Sequence, residues 1–379
     1  MAENLSATCL CGQNVVTIRL LGDLNYPVPV PLCHCHTCRH VTGQLATSYL
    51  PVREPDASAL VHMSRYSPIG SLATWLFCST CGTHLLRTSG RKWEVATGTL
   101  SQIDGLAIIT SHIHVSDTKD GGLSNWVKAF HEQPLRVYSG SPSPNSMGDV
   151  EYIPHRTESG GSPVKNVSNI PIYCHCRGVQ YEITPPNEAS SLAKSPFPDV
   201  MIAEHLQDPS VPNLKNVPWW LQANKTKYLA GTCACRSCRI GSGFEVQTWA
   251  FVPKCNIIAG GSNEKDSEKL LDFGYSSSSS KSMQSYNSSP GGTYREFCSV
   301  CGANIFWHNE EWRPTLVDVS VGLVDSMDGV LALDWLQWWT ERVSYEEEPE
   351  IDRPSKDSTR VYDLIPSLAR GLKQWAERV

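Results

Sequence analysis

The chain has 379 residues, with 32 Lys and Arg against 38 Asp and Glu and a formal net charge of −6. That balance, without any Lys/Arg patch interleaved with aromatics, argues against a nucleic-acid surface. No run of about 18 apolar residues is present to cross a membrane, and the length predicts two domains, each able to bury its own core.

The N-terminus, MAENLSATCLCGQ, has no basic segment leading into an apolar core. No secretory signal is therefore expected, and the reducing cytoplasm is the expected compartment. Short β-rich runs follow in chain order: VVTIRL (15–20), LATSYLPV (45–52), WEVATGTL (93–100), VQYEIT (179–184), EVQTWAFVP (245–253) and PTLVDVSVGL (314–323). Their alternation and the turn residues between them predict a mainly β chain of small antiparallel sheets. Residues 139–168 carry the Pro, Gly and Ser of a flexible linker. Residues 185–227 and 276–292 read as loops, the second being serine-rich at its start. WLQWW (335–339) reads as core. In 355–379 the spacing of Leu364, Leu368, Leu372 and Trp375 predicts a helix that packs on a domain or a partner.

The cysteines carry the chemistry. Seven occur in the order C-x-C, C-x-C-x-x-C, C-x-x-C: Cys9, Cys11, Cys33, Cys35, Cys38, Cys78 and Cys81. The order then recurs as Cys174, Cys176, Cys233, Cys235, Cys238, Cys298 and Cys301, leaving Cys255 as a lone thiol. An odd number per set argues against a closed disulfide framework, and thiols so spaced in a reducing compartment bind metal. Zinc suits thiolate-rich sites best, with an iron–sulfur cluster as the alternative. A structural zinc takes four protein ligands, whereas a catalytic one keeps three and an open position. The natural split is a closed site at Cys9, Cys11, Cys78 and Cys81 and an open one at Cys33, Cys35 and Cys38. In the second set Cys174, Cys176, Cys298 and Cys301 close, and Cys233, Cys235 and Cys238 stay open. Up to four zinc ions per chain follow. Spacing alone leaves other pairings open, including His34 or His36 as an eighth ligand in the first set.

The offset between the sets runs from 165 (Cys9 to Cys174) through 200 (Cys33 to Cys233) to 220 (Cys78 to Cys298). The middle segments align without gaps, pairing Arg39 with Arg239 and Gly43 with Gly243. Beyond the last C-x-x-C the offset is 224, which pairs Gly98 with Gly322. Two copies of one domain are the expected explanation, at residues 5–135 and 169–345.

The run C-x-C-G, C-x-C-x-x-C-R, S-P-G…F-C-x-x-C-G and G-x-L…D-G resembles the glutathione-dependent formaldehyde-activating enzymes, whose superfamily includes centromere protein V. The second copy matches it at Ser288, Ser289, Pro290, Gly291, Arg295, Phe297, Cys298, Cys301 and Gly302; the first keeps Ser67, Pro68, Phe77, Cys78, Cys81 and Gly82. The resemblance implies two tandem Mss4-like β-tent zinc domains, mainly β, each pinned by a four-cysteine zinc. It implies a second zinc on the C-x-C-x-x-C loop, near where glutathione binds, and a lyase-type reaction that makes or breaks a carbon–sulfur bond. A histidine-bearing strand of that family is represented by His112 and His114 in the first copy. The second copy has Leu336 and Trp338 at the same offset, so the copies are not equivalent.

Three functions are carried forward. The first is a zinc-dependent carbon–sulfur lyase acting on glutathione or a related thiol adduct, in which His112 and His114, with His36 and Glu245, are candidate proton-transfer groups. Arg39 and Arg239 are candidates for a substrate carboxylate or, equally, for holding the loop. The second is a tailoring enzyme of small-molecule biosynthesis with a non-glutathione substrate and a cleft enlarged by the inserted loops. The third is a non-catalytic binding module pinned by zinc. A monomer and a homodimer both fit.

Overall fold

The computed structural model describes residues 5–142, 169–206, 208–259, 282–354, 362 and 364–378. The predicted linker segment 143–168 and the serine run 276–281 lie outside the described residues. The chain is mainly β, and the predicted runs become strands: Val15–Thr17, Tyr49–Val52, Lys92–Ala96, Gln180–Ile183, Gln247–Pro253 and Leu316–Ser320.

In the first half a hairpin of Ser6–Thr8 and Val15–Thr17 stands beside a five-stranded antiparallel sheet. That sheet runs in the order Tyr49–Val52, Lys92–Ala96, His84–Ser89, Ala73–Cys78, Met63–Tyr66. In the second half the equivalent strands join a larger, eight-stranded sheet. Not every pairing is antiparallel. Val28–Cys33 pairs parallel with Ala107–Ile113, and Lys227–Cys233 parallel with Leu336–Trp338. Each parallel partner returns from a distant part of the chain, which local alternation does not reveal.

The predicted loops are more ordered than their composition implies. Met283–Ser289 is a strand on Thr293–Cys298. Segment 185–227 is irregular but anchored by Trp219 and Trp220, both buried. Their indole N–H groups donate to the carbonyls of Pro196 and Ser190 at 2.9 Å each. Buried indoles with satisfied N–H groups fix such a segment without regular structure. Four short or medium helices complete the described chain: α1 His36–Thr42, α2 Arg236–Ser242, α3 Glu348–Asp352 and α4 Leu364–Ala376. Helix α4 buries Leu364, Leu368 and Leu372, and its Trp375 meets Trp126 edge-on at 5.9 Å. The chain end thus packs on the first half. Trp338 of the WLQWW run is core, edge-on to the same Trp126 at 4.7 Å.

One apolar core runs through both halves, from Val16, Leu86 and Trp126 to Tyr181, Phe306 and Leu323. The two halves meet through matched contacts. Arg39 of α1 donates to the Gly322 carbonyl at 3.1 Å, and Arg239 of α2 donates to the Gly98 carbonyl. Gly98 N–H in turn donates to the Gly243 carbonyl at 3.1 Å. Gly43 and Gly243 end α1 and α2 in the left-handed region, with φ of 83° and 74°. Glycine adopts that conformation without a Cβ penalty. The closeness matters as much: a Cβ on Gly98 would fall on the backbone of Gly243 and Phe244, and one on Gly322 on Gly43 and Gln44. Because backbone cannot yield as a flexible side chain does, Gly98→Ala is expected to cost about 3 kcal/mol or more. Urea unfolding followed by fluorescence would show the lowered midpoint.

Candidate metal centres

Each C-x-C sits at the turn of an N-terminal hairpin, and each C-x-x-C-G at a strand-end turn. Gly82 and Gly302 close those turns with N–H bonds to Cys78 and Cys298 carbonyls at 3.0 and 2.7 Å. The result gathers Cys9, Cys11, Cys78 and Cys81, and separately Cys174, Cys176, Cys298 and Cys301, with all sulfurs of a group within 4.8 Å of one another. Neighbouring Sγ atoms lie 3.4–3.6 Å apart in the first group and 3.5 Å apart in the second. Tetrahedral zinc with bonds of about 2.3 Å needs sulfur–sulfur edges of about 3.8 Å, so the donor set fits. Backbone N–H groups of Asn14 and Val179 point at Cys9 and Cys174 sulfurs (3.2 and 3.4 Å), the kind of support that orients metal ligands.

The C-x-C-x-x-C segments are strand-to-helix junctions. Cys33 and Cys233 are the last residues of their strands, and Cys35 and Cys235 are the N-caps of α1 and α2. Each cap sulfur accepts the N–H of Cys38 or Cys238, at 3.3 and 3.4 Å. The three sulfurs of each segment also lie within 4.8 Å, and no fourth His, Cys, Asp or Glu joins them among the described residues. Hydrogen bonds from Cys33 and Cys35 hold Cys38 well below the ordinary thiol value, and those from Cys233 and Cys235 do the same for Cys238. Hydrogen bonds among the thiols, together with burial, push the other two sulfurs of each cluster up, so the third sulfur is the one favoured as a thiolate.

An arginine faces the third sulfur in both halves, and neither was singled out as a site residue by the sequence. Arg295 Nη2 lies 3.4 Å from Cys238 Sγ and 3.1 Å from Ser237 Oγ; Arg87 Nη1 lies 3.9 Å from Cys38 Sγ. They come from different strands. Trp75 pairs across strands with Arg87, and Arg295 with Trp307. The same Trp–Arg pair is written in opposite order. The offset remains 220 through the strand His84–Ser89, matched by Asn304–Asn309, and becomes 224 only at Lys92–Ala96, matched by Leu316–Ser320. Trp75 therefore falls on Arg295 and Arg87 on Trp307, a swap that was available as a signal.

The second three-cysteine group opens into a cavity of about 850 Å3. Trp249, Phe251, Trp307 and Trp312 form one side of it. Phe197, Val200 and Glu204 of the 185–227 segment form another, and Leu10, between Cys9 and Cys11, reaches in from the first half. The counterpart of Leu10 is His175, between Cys174 and Cys176. Its Nδ1 lies 2.7 Å from the Tyr66 hydroxyl of the first half.

Other sequence candidates lie elsewhere. Arg39 and Arg239 are buried and turned to the opposite half, Arg239 also pairing with Asp352, so the geometry supports the loop-holding alternative. His112 is buried, with Nδ1 2.8 Å from His34 Nε2 and Nε2 2.6 Å from the Val127 carbonyl. Burial pulls its pKa down to about 4, and both nitrogens are occupied. Strand alternation instead turns Ile113 to the Cys33 cluster. His114 bonds Ser141 at 2.7 Å. His36 Nε2 lies 3.3 Å from the Tyr173 hydroxyl, and Glu245 is paired with Arg353 inside the protein. Cys255 joins no cluster; its thiol faces Asn256 Oδ1 at 3.3 Å.

Four-thiol groups beside three-thiol groups on a mainly β frame define a protein whose cysteine clusters can hold metal, with a cavity beside one of them. Residues 4–117 match the family model of the glutathione-dependent formaldehyde-activating enzymes, so this part of the chain is similar to that family. Cys233, Cys235 and Cys238 and every residue lining their cavity except Leu10 lie outside the matched residues. Comparison with curated proteins and with solved structures gives no match. No helix among the described residues is long and apolar enough to cross a membrane.

Proposed function

We propose that the chain is a zinc-dependent enzyme that makes or breaks a carbon–sulfur bond between a small-molecule thiol and a carbonyl compound. The observation that carries this is a three-thiol group opening into a cavity, with a guanidinium on its third sulfur. In the forward sense the thiol sulfur bonds the carbonyl carbon, the C=O π pair moves to oxygen, and the thiol proton ends on that oxygen. A bound zinc ion supplies stabilisation of a substrate thiolate and polarisation of a carbonyl. Cys233, Cys235 and Cys238 would hold the ion at the reacting site; Cys33, Cys35 and Cys38 would hold another in the first half, which does not carry the turnover. Arg295 offsets the negative charge that three thiolates bring. Trp249 and Trp307 keep water from the reacting sulfur, which strengthens these charge interactions. The four-cysteine groups hold two further zincs that serve folding, and the two halves are copies of one domain. A reducing compartment such as the cytoplasm keeps the thiols competent.

A non-glutathione substrate, as in a tailoring enzyme, is favoured by the 185–227 segment, which adds a wall to the cavity. The test of the reaction is direct. Zinc-loaded protein is mixed with formaldehyde and a panel of thiols, and S-hydroxymethyl adducts are followed by NMR. Adduct formation at least tenfold above the protein-free rate is expected for some thiol in the panel; background rates throughout would remove the enzyme reading and leave the binding module.

A further inference from the structure

The second cavity has a chemical character of its own. Its aromatic side combines buried Trp249 and Phe251 with half-exposed Trp307 and Trp312, so planar faces line the way from solvent to the three sulfurs. Phe197 stands on the segment opposite, held by its N–H bond to the Val211 carbonyl at 2.8 Å. Such walls favour ring stacking and burial of apolar surface.

The charges point the same way. The lining guanidiniums are Arg236, Arg295 and Arg313. Arg236 is paired with Asp352 at 2.9 Å, Arg313 with Asp318, and Arg295 with the Cys238 sulfur. Arg313 also lies over the Trp307 ring at 4.9 Å, which fixes it against the aromatic wall. The lining carboxylates are Asp199, Glu204, Asp318 and Glu348; Asp199 is paired with Arg342 and Asp318 with Arg313, which leaves Glu204 and Glu348 as the acidic part of the rim. An anionic peptide thiol such as glutathione brings carboxylates at both ends, and would meet this acidic rim with every lining arginine already engaged. Desolvating its carboxylates without new cationic partners is costly.

Resting on the reading that this site takes a thiol, we propose that the cavity over Cys233, Cys235 and Cys238 binds an uncharged aryl-bearing thiol, or its adduct, in preference to glutathione. The sulfur enters beside Cys238 and Arg295, and the ring stacks among Trp307, Trp312 and Phe197. The size of the cavity, about 850 Å3, accommodates a substrate larger than a single ring.

Calorimetric titration of the zinc-loaded chain with phenylmethanethiol, phenylmethanol and glutathione tests this. To isolate the second site, the titrations use protein carrying Cys33→Ser, Cys35→Ser and Cys38→Ser, and the natural chain in parallel. Phenylmethanethiol is expected to bind at least about tenfold tighter than either other probe. Trp312→Ala, at a half-exposed position, is expected to weaken it about tenfold and leave glutathione unchanged. Glutathione binding as tightly as phenylmethanethiol, or Trp312→Ala without effect, would overturn the aryl preference and leave the thiol reading standing. Phenylmethanol binding as tightly as the thiol would overturn both, because sulfur would then contribute nothing.

Discussion

Serine at Cys233, Cys235 and Cys238 together is expected to lower zinc by one ion per chain and to cut carbon–sulfur turnover about a hundredfold or more, while the fold survives. The reason is position. These sulfurs sit at the end of a strand, on the cap of α2 and in its first turn, where they line a cavity rather than tie elements together. A serine hydroxyl at Cys235 still caps α2, since serine is a preferred N-cap. The cost to stability comes through Arg295. This guanidinium is fully buried and would lose the charged partner at Cys238, keeping only the Ser237 hydroxyl. Leaving it short of a partner costs about 1–3 kcal/mol, a fall in melting temperature of several degrees. Elemental analysis, thermal unfolding and the NMR adduct assay on one preparation give the three readouts. Unchanged turnover would sink the assignment of chemistry to the second half, and the Cys33, Cys35 and Cys38 group would become the sole candidate. Unchanged zinc with unchanged turnover would mean that this loop holds no ion.

The metal groups were legible because cysteine spacing encodes local geometry. A strand end, an N-cap and a third helical position put three sulfurs together from six residues of sequence, and structure and spacing agree on the grouping. The β character was legible for the same reason, since alternation is a property of neighbours. What lay hidden depends on pairs far apart in the chain. Arg39 and Arg239 stand next to cysteines in the sequence and invited a substrate role, yet their guanidiniums end on the carbonyls of Gly322 and Gly98 across the contact between halves. Gly98 and Gly322 were visible as an aligned pair, but only packing shows that each carries no Cβ because the opposite backbone is already there. His112 and His114 were drawn toward the site by their family strand. Alternation along Ala107–Ile113 turns His112 to the Val127 carbonyl and Ile113 to the thiols. The cavity wall from 185–227 was read as loop because Pro, Ser and Asn dominate its start, whereas Trp219 and Trp220 at its end decide that it is anchored.

Cys298→Ser is expected to have the larger structural effect: loss of a zinc, loss of a cooperative unfolding transition for the second half, and poor recovery of soluble protein. Cys298 ends the strand Thr293–Cys298, and its sulfur lies 3.5 Å from Cys176 of the hairpin turn. The four-cysteine group is therefore a clamp between segments about 120 residues apart in sequence, Cys174 and Cys176 on one side and Cys298 and Cys301 on the other. Structural zinc held by four thiolates contributes on the order of 10 kcal/mol in small domains, a large fraction of the net stability of a typical protein. All four sulfurs are buried or partly buried, so a serine there exchanges a metal bond for an uncompensated hydroxyl. The damage should not stop at the second half. Gly302, next to Cys301, packs against Phe77, and Gly82, next to Cys81, packs against Phe297. Each clamp thus sets the position of a glycine on which the other half's aromatic ring rests. Limited proteolysis should show cleavage first around the hairpin of Ile170–Tyr173 and then in the first half, where the clamp at Cys9, Cys11, Cys78 and Cys81 is chemically intact. A variant that keeps full zinc content and a natural melting temperature would show that three thiolates suffice here, and that the clamp is not what joins these segments.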